Sequence, residues 1–130
     1  MVEWALFIFN KYSTLFLKAT WVTLYVALIG TLLGFILGFA VGIINTVKIH
    51  KEDNIIKKIL LRVLRVIVVV YVEIFRDTPM IVQAMVIYFG LRQNDIMITS
   101  AIAGILVTTL NTGAYMGETV RAGIKSVDPG

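Results

Sequence analysis

Residues 19–47 read ATWVTLYVALIGTLLGFILGFAVGIINTV, 29 positions without a charged side chain. As an α-helix rising about 1.5 Å per residue, this run would be roughly 43 Å long, more than the roughly 30 Å hydrocarbon core of a bilayer. Such a helix must tilt or extend into both headgroup layers. It is too long for the apolar region of a signal peptide, and Glu3 stands before it where a signal peptide has a basic cluster. The run predicts a retained transmembrane helix. Composition agrees: 58% of the 130 residues are hydrophobic and 15% charged, with mean hydropathy +0.89, against about 25% charged in soluble domains. A water-soluble core of this size could not bury such runs, which excludes an ordinary soluble enzyme.

Working outward, a second span is expected over about Val66 to Leu91 and a third over about Ile96 to Val120. The connection between those two, Arg92 to Asp95, is short and about neutral. The connection between the first two, residues 48–65, carries Lys48, Lys51, Lys57, Lys58, Arg62 and Arg65 against Glu52 and Asp53. By the positive-inside rule this loop is cytoplasmic, which places the N-terminus outside and Arg121 and Lys125 inside. Residues 1–18 form a separate outer-face segment in which Trp4, Phe7, Ile8, Tyr12 and Leu15 follow helical spacing, as in a helix lying on the membrane surface. In the loop, Ile55, Ile56, Ile59, Leu60, Val63 and Leu64 make an apolar stripe opposite Lys58, Arg62 and Arg65. That stripe suits a helix resting on the inner leaflet better than a calmodulin target. The domain organisation is thus 1–18 and a transmembrane region 19–130.

Cysteine is absent and histidine occurs once, at His50 in the loop. Thiolate metal sites, multi-histidine metal sites and Ser-His triads have no support. The net charge of +4 is explained by the basic loop and not by nucleic-acid binding. No Walker A, HExxH or GxSxG pattern is present, so any work against a gradient must be powered from elsewhere.

Three features carry more specific information. Gly30, Gly34, Gly38 and Gly42 recur every four residues and predict a groove into which another helix can pack closely. The stretch YVEIFRDTP at 71–79 sets Glu73, Arg76 and Asp77 on one helix face. Each ionised group costs roughly 2.5–3.5 kcal/mol at the bilayer centre, so that face must look into protein or a wet cavity as a buried charged network. Pro79 removes a backbone donor and disfavours helical geometry at Thr78, so the helix should break there. Broken helices at membrane depth are typical of transport sites, although a purely architectural ion pair fits Glu73 and Arg76 equally. On the third span Asn111, Tyr115 and Glu118 share a face, either as a pathway lining or through an interhelical hydrogen bond from Asn111.

The motifs YVEIFRDTPMIVQ (71–83) with YFGL (88–91), and LNTGAYMGETVR (110–121) with GIKSV (123–127), resemble the membrane permease subunit of polar amino-acid ABC importers. TWVTL (20–24) and the glycine stripe are similar to that family too, so the likeness runs from about residue 19 to 130. It implies an all-α membrane fold of five transmembrane helices, of which three are present here, together with the interfacial helices. It further implies a second permease subunit, alike or different, two cytoplasmic ATPase subunits that bind the ATP, and an external binding protein that delivers the amino acid. The permease itself would be no enzyme and need no cofactor or metal.

Two departures stand out. The family's usual glycine is Asp77 here, and the family continues past Gly130 into a coupling loop and two further spans. The expectation is the N-terminal part of a bacterial inner-membrane permease, truncated before that loop. Thr78, Gln83, Asn111, Tyr115 and Glu118 are assigned to the translocation pathway. The rival reading is a small three-span oligomeric passive pore, holin-like.

Overall fold

A computed structural model describes residues 1–50, 52–128 and 130. It is all-α, with helices α1 (Val2–Thr46), α2 (Ile55–Asp77), α3 (Met80–Gln93) and α4 (Ser100–Ser126). Among the described residues α1 is the one helix long and apolar enough by itself to cross a membrane. Its 45 residues make a rod of about 68 Å, longer than the ~40–45 Å of a bilayer with its headgroups.

The continuity of α1 corrects the expected division at residue 18. No proline occurs before residue 79 and no glycine before residue 30, so nothing interrupts the backbone between the amphipathic segment and the apolar run. The loop boundary also moves. Residues 55–65 form the first turns of α2 and continue directly into the expected second span. The linker between α1 and α2 is therefore short, and two contacts fasten it. Arg65 donates from its guanidinium to the Val47 carbonyl at the end of α1. Asp53 accepts from the His50 backbone N–H at 2.9 Å and from Lys57 Nζ at 2.8 Å. The Lys57 bond, then the His50 bond, holds the Asp53 carboxyl below its ordinary pKa.

The glycine groove is filled from within the chain. Thr108, Thr112, Met116 and Val120 of α4 lie over Gly30, Gly34, Gly38 and Gly42 in that order. Both numbers rise together, so α1 and α4 run parallel. The fit is reciprocal, with Leu37 over Gly113 and Val41 over Gly117. Small residues on both helices bring the backbones together and gain dispersion contacts that lipid could not supply. Two parallel helices need a return between them, and α2 and α3 provide it. Val68 and Val72 of α2 pack on Val41, with Leu37, Ile44 and Tyr71 around them. Farther along, α3 runs antiparallel to α4, with Gln83 near Asn111 and Ala84 and Tyr88 beside Ala103 and Gly104.

The turn from α3 to α4 is well specified. Asp95 N–H donates to Arg92 O and Ile96 N–H to Leu91 O, the double bond pattern of a Schellman cap. The capping position is left-handed, Asp95 having φ 58°. Thr99 then starts α4, its hydroxyl accepting from Ile102 N–H at 3.3 Å.

Three outcomes follow for stability. A Cβ on Gly38 would stand 2.5 Å from Met116 Cβ and 3.0 Å from the Gly113 carbonyl, whereas one on Gly123 would meet nothing within 4 Å. Gly38→Ala is expected to destabilise by about 1–3 kcal/mol and Gly123→Ala to stabilise slightly through helix propensity, as read from thermal unfolding in detergent. Asp95→Gly relieves the left-handed strain and is expected to add about 0.5–1 kcal/mol.

Candidate functional site

The site begins with a missing hydrogen. In an unbroken helix the carbonyls of Ile74, Phe75 and Arg76 would accept from the amides of residues 78, 79 and 80. Pro79 has no amide hydrogen, and both Thr78 (φ −108°, ψ 140°) and Pro79 (φ −60°, ψ 135°) are extended. The expected kink is a complete break that divides the anticipated second span into α2 and α3. In apolar surroundings each freed carbonyl costs about 1–3 kcal/mol unless something donates to it.

Side chains supply every one of those donors. The Thr78 hydroxyl donates back to Ile74 O at 2.6 Å. Gln83, which is buried, donates from Nε2 to Phe75 O at 3.0 Å and to Thr78 O and Oγ1 at 2.9 Å. Asn111 of α4 donates from Nδ2 to Phe75 O at 3.1 Å and to Gln83 Oε1 at 3.4 Å. Tyr115, one turn later on α4, reaches Arg76 O at 3.4 Å. Four of the five expected pathway residues, Thr78, Gln83, Asn111 and Tyr115, thus meet at one place. They mend the backbone of the break, so the interhelical hydrogen bond weighed for Asn111 is present.

Glu118 lies elsewhere. It takes bonds from two nitrogens of Arg121, the Nε contact measuring 2.8 Å. The pair borders a cavity of about 350 Å³ that opens between α1, α2 and α4, with Asn45, Glu73, Arg76 and Lys125 on its other sides. The residues expected as a buried charged network are Glu73, Arg76 and Asp77. All three are exposed, and none forms an ion pair among the described residues. The face of α2 turned to the core carries Val68 and Val72, and Glu73 and Arg76 flank it on the wall of that cavity. Arg76 instead lies over the Tyr115 ring, 5.5 Å from its centroid.

Two contributors escaped the sequence reading. The Tyr71 hydroxyl donates to Leu110 O, and a Cβ on Gly113 would stand 2.8 Å from that hydroxyl oxygen. Arg121 is the partner of Glu118. Arg121 could have been found, being three residues after Glu118 on one helix. Tyr71 could not, because its role depends on the register between α2 and α4.

No protein-family model matches the chain. Among characterised proteins it is similar to the arginine transport system permease protein ArtQ of Bacillus subtilis, 41% identical over 61 residues, which is 46% of this chain and 28% of ArtQ. It is also similar to the glutamine transport system permease protein GlnP of Escherichia coli, 36% identical over 66 residues, 49% of this chain and 30% of GlnP. The matched stretch is thus under a third of either relative. A crystal structure of an amino-acid ABC transporter with histidines superposes at a TM-score of 0.75 and 29% identity, over 92% of this chain and 50% of that one. The chain is accordingly a relative of amino-acid ABC transport permeases, and its helices follow that fold.

The mending of the break makes a coupling prediction. Gln83→Met removes the two amide hydrogens shared among Phe75 O, Thr78 O and Thr78 Oγ1 and is expected to cost about 2–3 kcal/mol. In a Pro79→Ala background, where an amide returns to position 79, the cost should fall by about 1 kcal/mol. Unfolding of both single variants and the double variant measures this, and purely additive costs would contradict the assignment.

Proposed function

We propose that this chain is part of the permease subunit of an ATP-driven importer of polar amino acids in the bacterial inner membrane. The observation that carries the reading is the likeness of nearly the whole chain to one half of an amino-acid ABC transporter chain. The broken helix supports it, since unwound backbone held among polar side chains at membrane depth is how transporters expose polar groups to a substrate. A holin-like passive pore has no need of such a break, and permease relatives speak against it.

On this reading the chain crosses the bilayer three times, as α1, as α2 with α3, and as α4. The parallel course of α1 and α4 requires that return. The N-terminus is outside and the linker near His50 inside. Thr78, Gln83, Asn111 and Tyr115 border the pathway around the break, and Glu118 borders it from the charged cavity. A second permease subunit completes the pathway, two cytoplasmic ATPase subunits bind ATP and drive it, and an external binding protein delivers the amino acid. The permease contributes no catalytic group of its own.

Topology is directly measurable because the chain has no cysteine. Met97→Cys, at an 80% exposed position between α3 and α4, should react with a membrane-impermeant maleimide on intact cells. His50→Cys should react only after lysis. The reverse pattern would overturn the orientation, and labelling of both on intact cells would overturn three crossings.

Uptake tests the function itself. In proteoliposomes holding the full permease pair with its ATPase partners, and with the external binding protein added, labelled glutamine, arginine and histidine are offered with and without ATP. ATP-dependent accumulation of at least one is expected. Tyr115→Leu, which removes a group 50% exposed beside the break, should lower uptake at least about tenfold with assembly intact. A leak that needs no ATP would favour the pore.

A further inference from the structure

A second cavity, of about 700 Å³, opens where α1 ends, bounded by the linker, by Arg65 of α2 and by the last turn of α4. Its charged side chains are Lys48, Arg65 and Lys125, and no carboxylate lines it. None of the three forms an ion pair among the described residues. Arg65 spends one guanidinium nitrogen on the Val47 carbonyl, and its Nε is buried without a partner. The remaining walls are apolar, with Ile49, Ile124 and Val127. Val127 is 72% exposed.

The position of this cavity along the chain fixes its depth. The uncharged run ends at Val47 and the first cation is Lys48, so the cavity lies where hydrocarbon gives way to headgroups. Three cations, none of them in an ion pair among the described residues, set beside apolar walls at that depth, match a phosphate diester that carries acyl chains. Basic pockets between membrane helices on the side of the positive loops bind anionic headgroups in this way.

We propose that the cavity bounded by Lys48, Arg65 and Lys125 binds the headgroup phosphate of an anionic phospholipid, its acyl chains lying along Ile49, Ile124 and Val127. The proposal needs the membrane-crossing reading and is independent of which substrate is carried. The lipid phosphate would give these three cations a shared counter-charge and would tie the ends of α1 and α4 to α2. Arg65 serves two roles, closing the linker through Val47 and presenting its remaining donors to the phosphate.

The test uses the purified chain in mixed micelles of phosphatidylglycerol and phosphatidylcholine in equal amounts, with retained lipids counted by native mass spectrometry. Phosphatidylglycerol should be retained in preference. Lys48→Gln with Lys125→Gln should weaken that preference about fivefold per lysine, or about 25-fold together. Arg65 is left intact because its bond to Val47 supports the fold. Lys18→Gln with Arg62→Gln, at two exposed cations on α1 and α2 outside the cavity, should leave the preference unchanged.

Equal retention of the two lipids would overturn the proposal. So would a preference that survives the Lys48 and Lys125 substitutions, or one lost equally in the Lys18 and Arg62 variant. Inorganic phosphate that displaces phosphatidylglycerol at matched concentration would assign the cavity to a free anion instead. Flotation of each variant with pure phosphatidylcholine vesicles reports membrane insertion separately, so a failure of the chain to enter a bilayer is distinguishable from a failure of the lipid site.

Discussion

The close approach of α1 to α4 sets the geometry of everything else. Four glycines on one helix and two on the other let Thr108, Thr112, Met116 and Val120 lie directly on the α1 backbone. In a bilayer the hydrophobic effect does not drive helices together, so close packing of this kind must do so. Once α4 is seated, its position fixes where Asn111 and Tyr115 point. They meet the end of α2 at the carbonyls that Pro79 leaves without a donor. Packing on one face of α4 thereby decides hydrogen bonding on another.

The break is a polar site built from apolar helices. A straight second span would hide its backbone, and its residues could offer a solute little except hydrocarbon. Breaking the helix after Asp77 frees carbonyls, and Gln83, Asn111, Thr78 and Tyr115 gather to bond them. The same amides and hydroxyls that mend the backbone could exchange partners with a polar solute, since amides offer several donor and acceptor positions. The structural role of Asn111 is therefore compatible with the transport role proposed for it. The charged cavity one turn deeper holds Glu118 already paired with Arg121, which lowers the cost of keeping a carboxylate there.

Much of this was legible in the residues themselves. The uncharged run, the basic linker, the glycine period and the break at Pro79 follow from hydrophobicity, charge and backbone chemistry, which are local. The face shared by Asn111 and Tyr115 was also visible as helical spacing. What escaped was relational. The absence of a break at residue 18 shows that amphipathic and fully apolar stretches join without punctuation when no proline or glycine intervenes. Charges side by side on one helix need not pair with one another: Glu73, Arg76 and Asp77 share a face and form no ion pair among the described residues. The core face of α2 is set by Val68 and Val72, and Glu118 has a nearer partner in Arg121. Tyr71 and Leu110 are 39 positions apart in the chain, and nothing in either neighbourhood announces their contact.

The central claim is that the Phe75 carbonyl, deprived of an amide by Pro79, is held by Gln83 and Asn111. Isotope-edited infrared spectroscopy with a labelled carbonyl at Phe75 alone measures this most directly. The account predicts a band at the low frequency of a doubly bonded carbonyl, moving upward in Asn111→Leu and further upward when Gln83→Met is added. A band that stays in place through both substitutions would contradict it.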